Sequence, residues 1–127
     1  MLVVVNAVGD VLGPDGRILS GARKPGGGFY GQHEDRVIAR GRVLESGNTT
    51  LAVAMTNAAM SKLDLFRVAQ RMHDGMARAI VPAHTSFDGD TTFALSGGTA
   101  KAEFDLVAEI AAELTAVAIR RSVQSDA

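Results

Sequence analysis

The sequence contains no cysteine, which excludes disulfides, thiolate metal sites and cysteine nucleophiles. It also lacks an excess of either charge, because 13 basic residues nearly balance 14 acidic ones. Nucleic acid and anionic membranes are therefore not expected as partners. No apolar run approaches the roughly 20 residues that a membrane span requires. No basic segment precedes the apolar N-terminal run, so no signal peptide is visible and we expect a cytoplasmic protein.

The chain has 127 residues, 46% of them hydrophobic, which is enough for one domain and too little for two. Its first apolar segment, Leu2–Val8, is typical of a strand covered on both faces, with Asn6 as the polar exception. Residues 9–31 are rich in Gly and Pro and predict turns around a short strand at 17–19. Residues 33–46 are charged and only weakly periodic, which indicates either a frayed helix or an exposed connector.

The middle of the chain predicts a strand followed by an amphipathic helix. Residues 50–56 form a second apolar strand. Ser61 then opens a helix, with Asp64 three residues on as an approximate capping box, and Pro82 sets its end. The helix has one apolar face, made by Leu65, Val68, Ala69, Met72, Met76 and Ile80.

The last third predicts another strand and another helix. The strand covers residues 91–96 and is closed by Gly97-Gly98, and the helix follows over residues 99–122. The inner side of this helix is predicted to carry Phe104, Val107, Ala111, Leu114, Val117 and Ala118. The order of strands and helices predicts a layered α/β fold in which helices pack against a sheet.

The tetrapeptide Gly47-Asn48-Thr49-Thr50 lies between a charged stretch and the second strand. A protein can cut its own backbone at such a place, because the Thr49 hydroxyl can attack the Asn48 carbonyl. The new N-terminal Thr then has its own α-amine as a base that titrates near neutrality. The alternative is an ordinary junction between a loop and a strand, in which Asn48 suits the turn and the threonines suit the strand.

A second polar cluster lies downstream. Asp88 and Asp90 are two residues apart, so in an extended segment they face the same way and could orient a nucleophile or accept its proton. The alternative is a polar turn at Asp88-Gly89. His73 and His84 have no partner histidine at metal-binding spacing, and we expect structural roles for both. Neither a metal nor an organic cofactor is expected.

Four ordered segments together resemble a known family. Residues 2–10, 47–51, 69–80 and 82–95 are similar to the C-terminal part of the L-aminopeptidase/D-esterase (DmpA-type) family, which includes β-aminopeptidases and the endo-type nylon-oligomer hydrolase. The resemblance implies a self-processing N-terminal-nucleophile hydrolase with a layered αββα fold shared with the ornithine acetyltransferases. Its expected substrates are small peptides, amides or esters.

The resemblance also implies roles for particular residues. Asn48–Thr49 matches the processing bond, and Thr49 matches the nucleophile. Asn6 matches the amide that helps to stabilise the oxyanion. Asp88 and Asp90 match the pair that supports the nucleophile, and because β-aminopeptidases carry Ser and Glu there, the Asp pair favours the nylon-hydrolase branch. Cleavage would divide the chain into an α-subunit-like part, residues 1–48, and a β-subunit-like part, residues 49–127.

Precursors of the family are much longer, so we expect this chain to be a fragment whose partner is the missing N-terminal portion of the same fold. At full length a homo-oligomer is expected. Alone, the strands should expose apolar surface and unpaired edges, leaving the chain marginally stable and inefficient in processing. Two alternatives remain at this point: an acyltransferase like the ornithine acetyltransferases, and a non-catalytic remnant that acts as a binding or structural module.

Overall fold

A computed structural model describes residues 1–31 and 47–124, so the predicted connector at 33–46 lies outside the described residues. Six strands and two helices occur in these ranges. In chain order they are β1 (Leu2–Asn6), β2 (Asp10–Leu12), β3 (Ile18–Ser20), β4 (Thr49–Ala58), α1 (Lys62–Ala79), β5 (Ile80–Val81), β6 (Thr91–Ala100) and α2 (Phe104–Ser122).

The larger sheet has the strand order β1-β4-β6, with β1 antiparallel and β6 parallel to β4. Both helices pack on one face of this sheet, around a core that includes Ala52, Met72, Met76 and Ile119. This arrangement confirms the predicted layering of helices on a sheet. The short strands form a second sheet in the order β3-β2-β5, in which β3 corresponds to the predicted strand at 17–19.

Helix α1 begins as the sequence predicts. The Ser61 hydroxyl accepts a hydrogen bond from the Asp64 backbone N–H at 3.1 Å, and the Asp64 carboxylate accepts one from the Ser61 N–H at 3.3 Å. This capping box satisfies two amides that the first turn would otherwise leave unpaired, and a cap of this kind stabilises a helix by about 1 kcal/mol. Four members of the predicted apolar face, Val68, Met72, Met76 and Ile80, are fully buried, although Ile80 belongs to β5 because the helix ends at Ala79.

Helix α2 differs from the prediction in its start and in its buried side. It begins at Phe104 rather than at residue 99, because β6 continues to Ala100. Leu114, predicted to face inward, is 45% exposed. The buried side consists mainly of small residues, namely Ala108, Ala111, Ala112, Thr115, Ala116 and Ile119. These small side chains let α1 approach so closely that a Cβ added at Gly75 would lie 2.1 Å from the Ala112 carbonyl oxygen.

Gly97-Gly98 does not close β6, contrary to the prediction. The pairing of β4 with β6 shifts in register between Thr56 and Ala58. At this irregularity a Cβ added at Gly98 would lie 2.0 Å from the Asn57 carbonyl oxygen. The glycine therefore accommodates a close approach of two backbones inside the sheet, a common reason for glycine within a strand.

Strand β1 is covered on one face only, so the prediction that both of its faces are buried is wrong for the described residues. Val3 and Val5 pack against the core, whereas Leu2 and Val4 are 65% and 59% exposed. The open sheet face, as we call it, also carries exposed apolar residues of β4 and β6. Its exposed members are Leu2, Val4, Leu51, Met55, Phe93 and Leu95. This confirms the expected exposure of apolar strand surface.

Neither of the two described helices is long and apolar enough to cross a membrane.

Candidate active site

Strand pairing brings together two predicted site residues that are distant in sequence. Asn6, the last residue of β1, pairs directly with Thr49, the first residue of β4. Side chains alternate along β4, and Thr50 points toward the helices, where it is fully buried. Thr49 therefore lies on the same side of the sheet as Leu51, on the open sheet face. Of the two adjacent threonines, only Thr49 is placed to meet a substrate approaching from that side.

The Asn48 carbonyl oxygen accepts two hydrogen bonds. The Thr49 hydroxyl donates to it at 2.7 Å, and the Gly89 backbone N–H donates to it at 2.8 Å. A donor on this oxygen would also stabilise the negative charge that forms there when the carbonyl carbon is attacked. A Cβ added at Gly89 would lie 2.8 Å from the Thr49 hydroxyl oxygen. Glycine at this position therefore leaves space for that hydroxyl beside the carbonyl.

Asn6 contacts the neighbouring peptide group. Its side-chain amide donates to the Gly47 carbonyl oxygen at 3.1 Å, one residue before the Asn48 carbonyl. Gly47 itself has a φ of 130°, a conformation that glycine adopts readily. The amide that the resemblance links to the oxyanion thus lies next to the predicted processing bond, while Gly89 supplies the donor to the Asn48 carbonyl itself.

Asp90 holds the backbone just after Thr49. One carboxylate oxygen accepts the Thr50 backbone N–H at 2.9 Å. The other accepts the His84 backbone N–H at 3.2 Å and lies 2.8 Å from the His84 Nδ1. The Asp90 side chain is only 4% exposed. A buried carboxylate with several donors is a rigid anchor, because each of its oxygens is fixed by a partner.

Asp88 anchors the opposite side of the loop. One of its oxygens accepts the Val8 backbone N–H at 3.2 Å, just beyond the end of β1. The other accepts the Thr85 N–H at 3.0 Å and the Thr85 hydroxyl at 2.7 Å. The chain turns between Thr85 and Asp88, rather than at Asp88-Gly89 as the alternative interpretation had it. Asp90 thus holds the backbone next to Thr49, whereas Asp88 ties the loop to the end of β1, and no hydrogen bond joins either carboxylate to the Thr49 hydroxyl.

The two histidines that the sequence left without a chemical role lie together beside Asp90. Their ring centroids are 4.7 Å apart in an edge-to-face arrangement. Burial lowers the pKa of His73, the nearby His84 lowers it further, and Asp90 and Asp74 oppose the shift. Within residues 1–31 and 47–124, no group of three or more His, Cys, Asp or Glu side chains is arranged to hold a metal ion.

Sequence reasoning missed two contacts of this site. The Gly89 donor is a backbone N–H, which every residue except proline carries and which no residue type reveals. The contact between His84 and Asp90 spans six residues of an irregular loop, where no periodicity relates one side chain to another. The only available signal was that both residues fall in one polar cluster.

The chain is similar to known proteins of one peptidase family. A family model described as Peptidase family S58 matches residues 1–126. An uncharacterized aminopeptidase of Mycobacterium leprae is 49% identical over 59 residues, which cover 46% of this chain and 16% of that protein. A 6-aminohexanoate-oligomer endohydrolase of Agromyces is 46% identical over 54 residues, which cover 42% of this chain and 15% of that protein.

These matches cover well under two thirds of the length of the curated relatives. An uncharacterized aminopeptidase of Mycobacterium tuberculosis gives the same result, with 53% identity over 51 residues and 15% of its length covered. The relatives are named as aminopeptidases and an endohydrolase, so the comparison favours a hydrolase and does not favour the acyltransferase alternative.

Proposed function

Since this chain belongs to peptidase family S58, we propose that it carries the self-cleavage site and the nucleophile of an N-terminal-nucleophile hydrolase, with Thr49 as that nucleophile. One observation carries the proposal. The Thr49 hydroxyl and the Gly89 N–H converge on the Asn48 carbonyl oxygen, at 2.7 and 2.8 Å. Self-cleavage needs an attacking hydroxyl beside the carbonyl and a donor for the oxyanion, and both are present here.

The cleavage step follows from these positions. The Thr49 hydroxyl turns from the carbonyl oxygen toward the carbonyl carbon, and its oxygen forms a bond to that carbon. Gly89 stabilises the resulting oxyanion. The bond from the carbon to the Thr49 nitrogen then breaks, and the hydroxyl proton ends on that nitrogen. Water hydrolyses the ester, which leaves a carboxylate on Asn48 and a free α-amine on Thr49.

After self-cleavage, the same residues would act on the acyl group of a substrate molecule. The α-amine of Thr49, with an ordinary pKa of roughly 7.7 to 8.0, serves as the base that takes the hydroxyl proton. Asn6 supplies a side-chain donor for the oxyanion once the new chain end at Gly47-Asn48 has moved away, while β1, which carries Asn6, stays paired with β4. Asp90 holds the backbone of the nucleophile. We propose small peptides, amides or esters as substrates, cleaved so that their N-terminal residue is released.

The partner that we propose is the N-terminal portion of the same fold, seated on the open sheet face. That face presents a continuous apolar surface at the side of the sheet on which Thr49 lies, and such patches mark interaction surfaces. Covering it would bury the exposed side chains and would supply the second wall of a substrate pocket. We also propose that the chain, once combined with this N-terminal portion, forms a homo-oligomer.

Co-expression with the N-terminal portion of a 6-aminohexanoate-oligomer endohydrolase tests both the proposed hydrolase activity and the proposed partner. We expect a higher soluble yield, and release of chromophore from aminoacyl amides that the chain alone does not turn over. Leu95→Asp on the open sheet face should remove both gains, because it places a charge in the new interface. Leu106→Asp on α2, at a similarly exposed leucine, is the matched control and should keep them. Equal soluble yield and equal chromophore release from the two variants would contradict the proposal that the partner binds the open sheet face.

A further inference from the structure

His84 makes contacts that the chemistry proposed so far does not use. We propose that His84 is a positioning residue for the nucleophile: its imidazole fixes Asp90, and Asp90 fixes the backbone of Thr49 and Thr50. This inference rests on the proposed function, because it concerns the placement of Thr49. In this role His84 acts on Thr49 through Asp90 and does not itself contact the substrate.

The linkage consists of two short hydrogen-bond contacts on one carboxylate. The His84 Nδ1 lies 2.8 Å from one oxygen of Asp90, and the other oxygen accepts the Thr50 N–H at 2.9 Å. With its side chain 4% exposed, Asp90 depends on protein donors for its orientation. Loss of the imidazole would leave the oxygen beside Nδ1 with only the longer contact from the His84 backbone N–H at 3.2 Å, and the more loosely held carboxylate could then rotate away from the Thr50 N–H. Thr50 is bonded directly to Thr49, so such a rotation would move the nucleophile.

The backbone at His84 supports a role for its side chain. His84 has a φ of 56°, and it is the only residue other than glycine with a positive φ among the described residues. This conformation is unfavourable for most side chains, and glycine adopts it without that penalty. The contact of the imidazole with Asp90 offsets the penalty. Glycine at this position would relax the backbone and would remove the side chain at the same time.

The second ring nitrogen lies beside α1. The His84 Nε2 lies 3.4 Å from the His73 carbonyl oxygen, and the His73 ring meets the His84 ring edge to face. The titratable groups around the pair are Asp90 and Asp74, whose charges oppose the lowering of the His73 pKa. The imidazole of His84 thus lies between the His73 ring and the Asp90 carboxylate, and this packing restricts the directions in which it can move.

The experiment compares His84→Gly with His84→Asn in the full chain, expressed with the N-terminal portion of a relative. Glycine suits the positive φ and keeps the backbone N–H but supplies no side-chain donor, whereas asparagine tolerates this φ and its amide can replace Nδ1. We expect the rate of cleavage at Asn48–Thr49 to fall roughly 10- to 100-fold in His84→Gly, the scale of a misplaced reacting group. His84→Asn should stay near the parent rate, and added imidazole should partly restore His84→Gly.

A second measurement reads the linkage without cleavage. In a Thr49→Ala background, which stays uncut, hydrogen exchange of the Thr50 amide should become faster with His84→Gly and remain slow with His84→Asn. Parent-like cleavage and parent-like exchange in His84→Gly would overturn the inference. So would equal losses in the glycine and asparagine variants, since these would indicate a general loop defect. A parent chain that is never cut at Asn48–Thr49, even with the N-terminal portion, would refute the proposed function and this inference with it.

Discussion

Replacing Thr49 by valine is expected to abolish cleavage at the Asn48–Thr49 bond, whereas the same replacement at Thr50 leaves cleavage intact. Valine retains the branched shape of threonine but removes the hydroxyl that lies 2.7 Å from the Asn48 carbonyl oxygen. Loss of a nucleophile lowers the rate of a catalysed step by roughly a thousandfold or more. The measurement is the intact mass of the purified chain, made together with the N-terminal portion of a relative and followed over time.

Thr50→Val is the matched control, because it makes the identical chemical change one residue away. The Thr50 hydroxyl is buried and has no hydrogen-bond partner among the described residues, so its replacement by an apolar group of the same shape should be close to neutral for stability. Thr49→Ser, which retains a hydroxyl, should be cut. Cleavage in Thr49→Val at the rate of Thr50→Val would exclude Thr49 as the nucleophile.

Gly75→Ala is expected to destabilise the chain by about 2 kcal/mol or more, although alanine is the better helix former by about 1 kcal/mol. The added methyl would lie 2.1 Å from the Ala112 carbonyl oxygen and 2.8 Å from the Thr115 Cβ, so α1 and α2 would have to move apart. The helices are each other's main packing partner, and separating them would open the core around Met72 and Met76. Urea unfolding followed by circular dichroism measures the change.

Gly97→Ala provides the comparison for this effect. A Cβ at Gly97 would meet no atom within 4 Å, and the residue lies in a strand, where alanine costs less backbone entropy than glycine. This variant should therefore be at least as stable as the parent. If Gly75→Ala unfolded at the same urea concentration as Gly97→Ala, α1 and α2 could not be in close contact at Gly75.

The order of the elements was predictable because hydrophobic periodicity and capping residues act locally. Ser61 and Asp64 identify the start of α1 from four residues of sequence, and the capping box forms as expected. The end of β6 was not predictable in this way. Gly97-Gly98 has the composition of a strand end, yet Gly98 serves a close approach to Asn57, a contact that depends on the register of a distant strand.

The candidate site likewise combines features that the sequence predicts with contacts that depend on the fold. The resemblance named Asn6, Thr49 and the two aspartates as candidates, and strand pairing places Asn6 opposite Thr49. The resemblance could not supply the backbone donor of Gly89 or the imidazole that holds Asp90. Nor could composition distinguish the half-buried Thr49 on the open sheet face from the fully buried Thr50, because the face on which each lies is decided by the packing of α1 and α2 on the sheet.

Trapping the ester between the Thr49 oxygen and the Asn48 carbonyl tests the central claim most directly. The chain is assembled with the N-terminal portion of a relative, treated with hydroxylamine during processing and analysed by intact mass. An ester intermediate predicts a released segment ending in a hydroxamate at Asn48, a second segment beginning at Thr49, and neither product from Thr49→Val. A cut that yields only the free carboxylate at Asn48, at a rate hydroxylamine does not change and with Thr49→Val cut equally, would contradict the account.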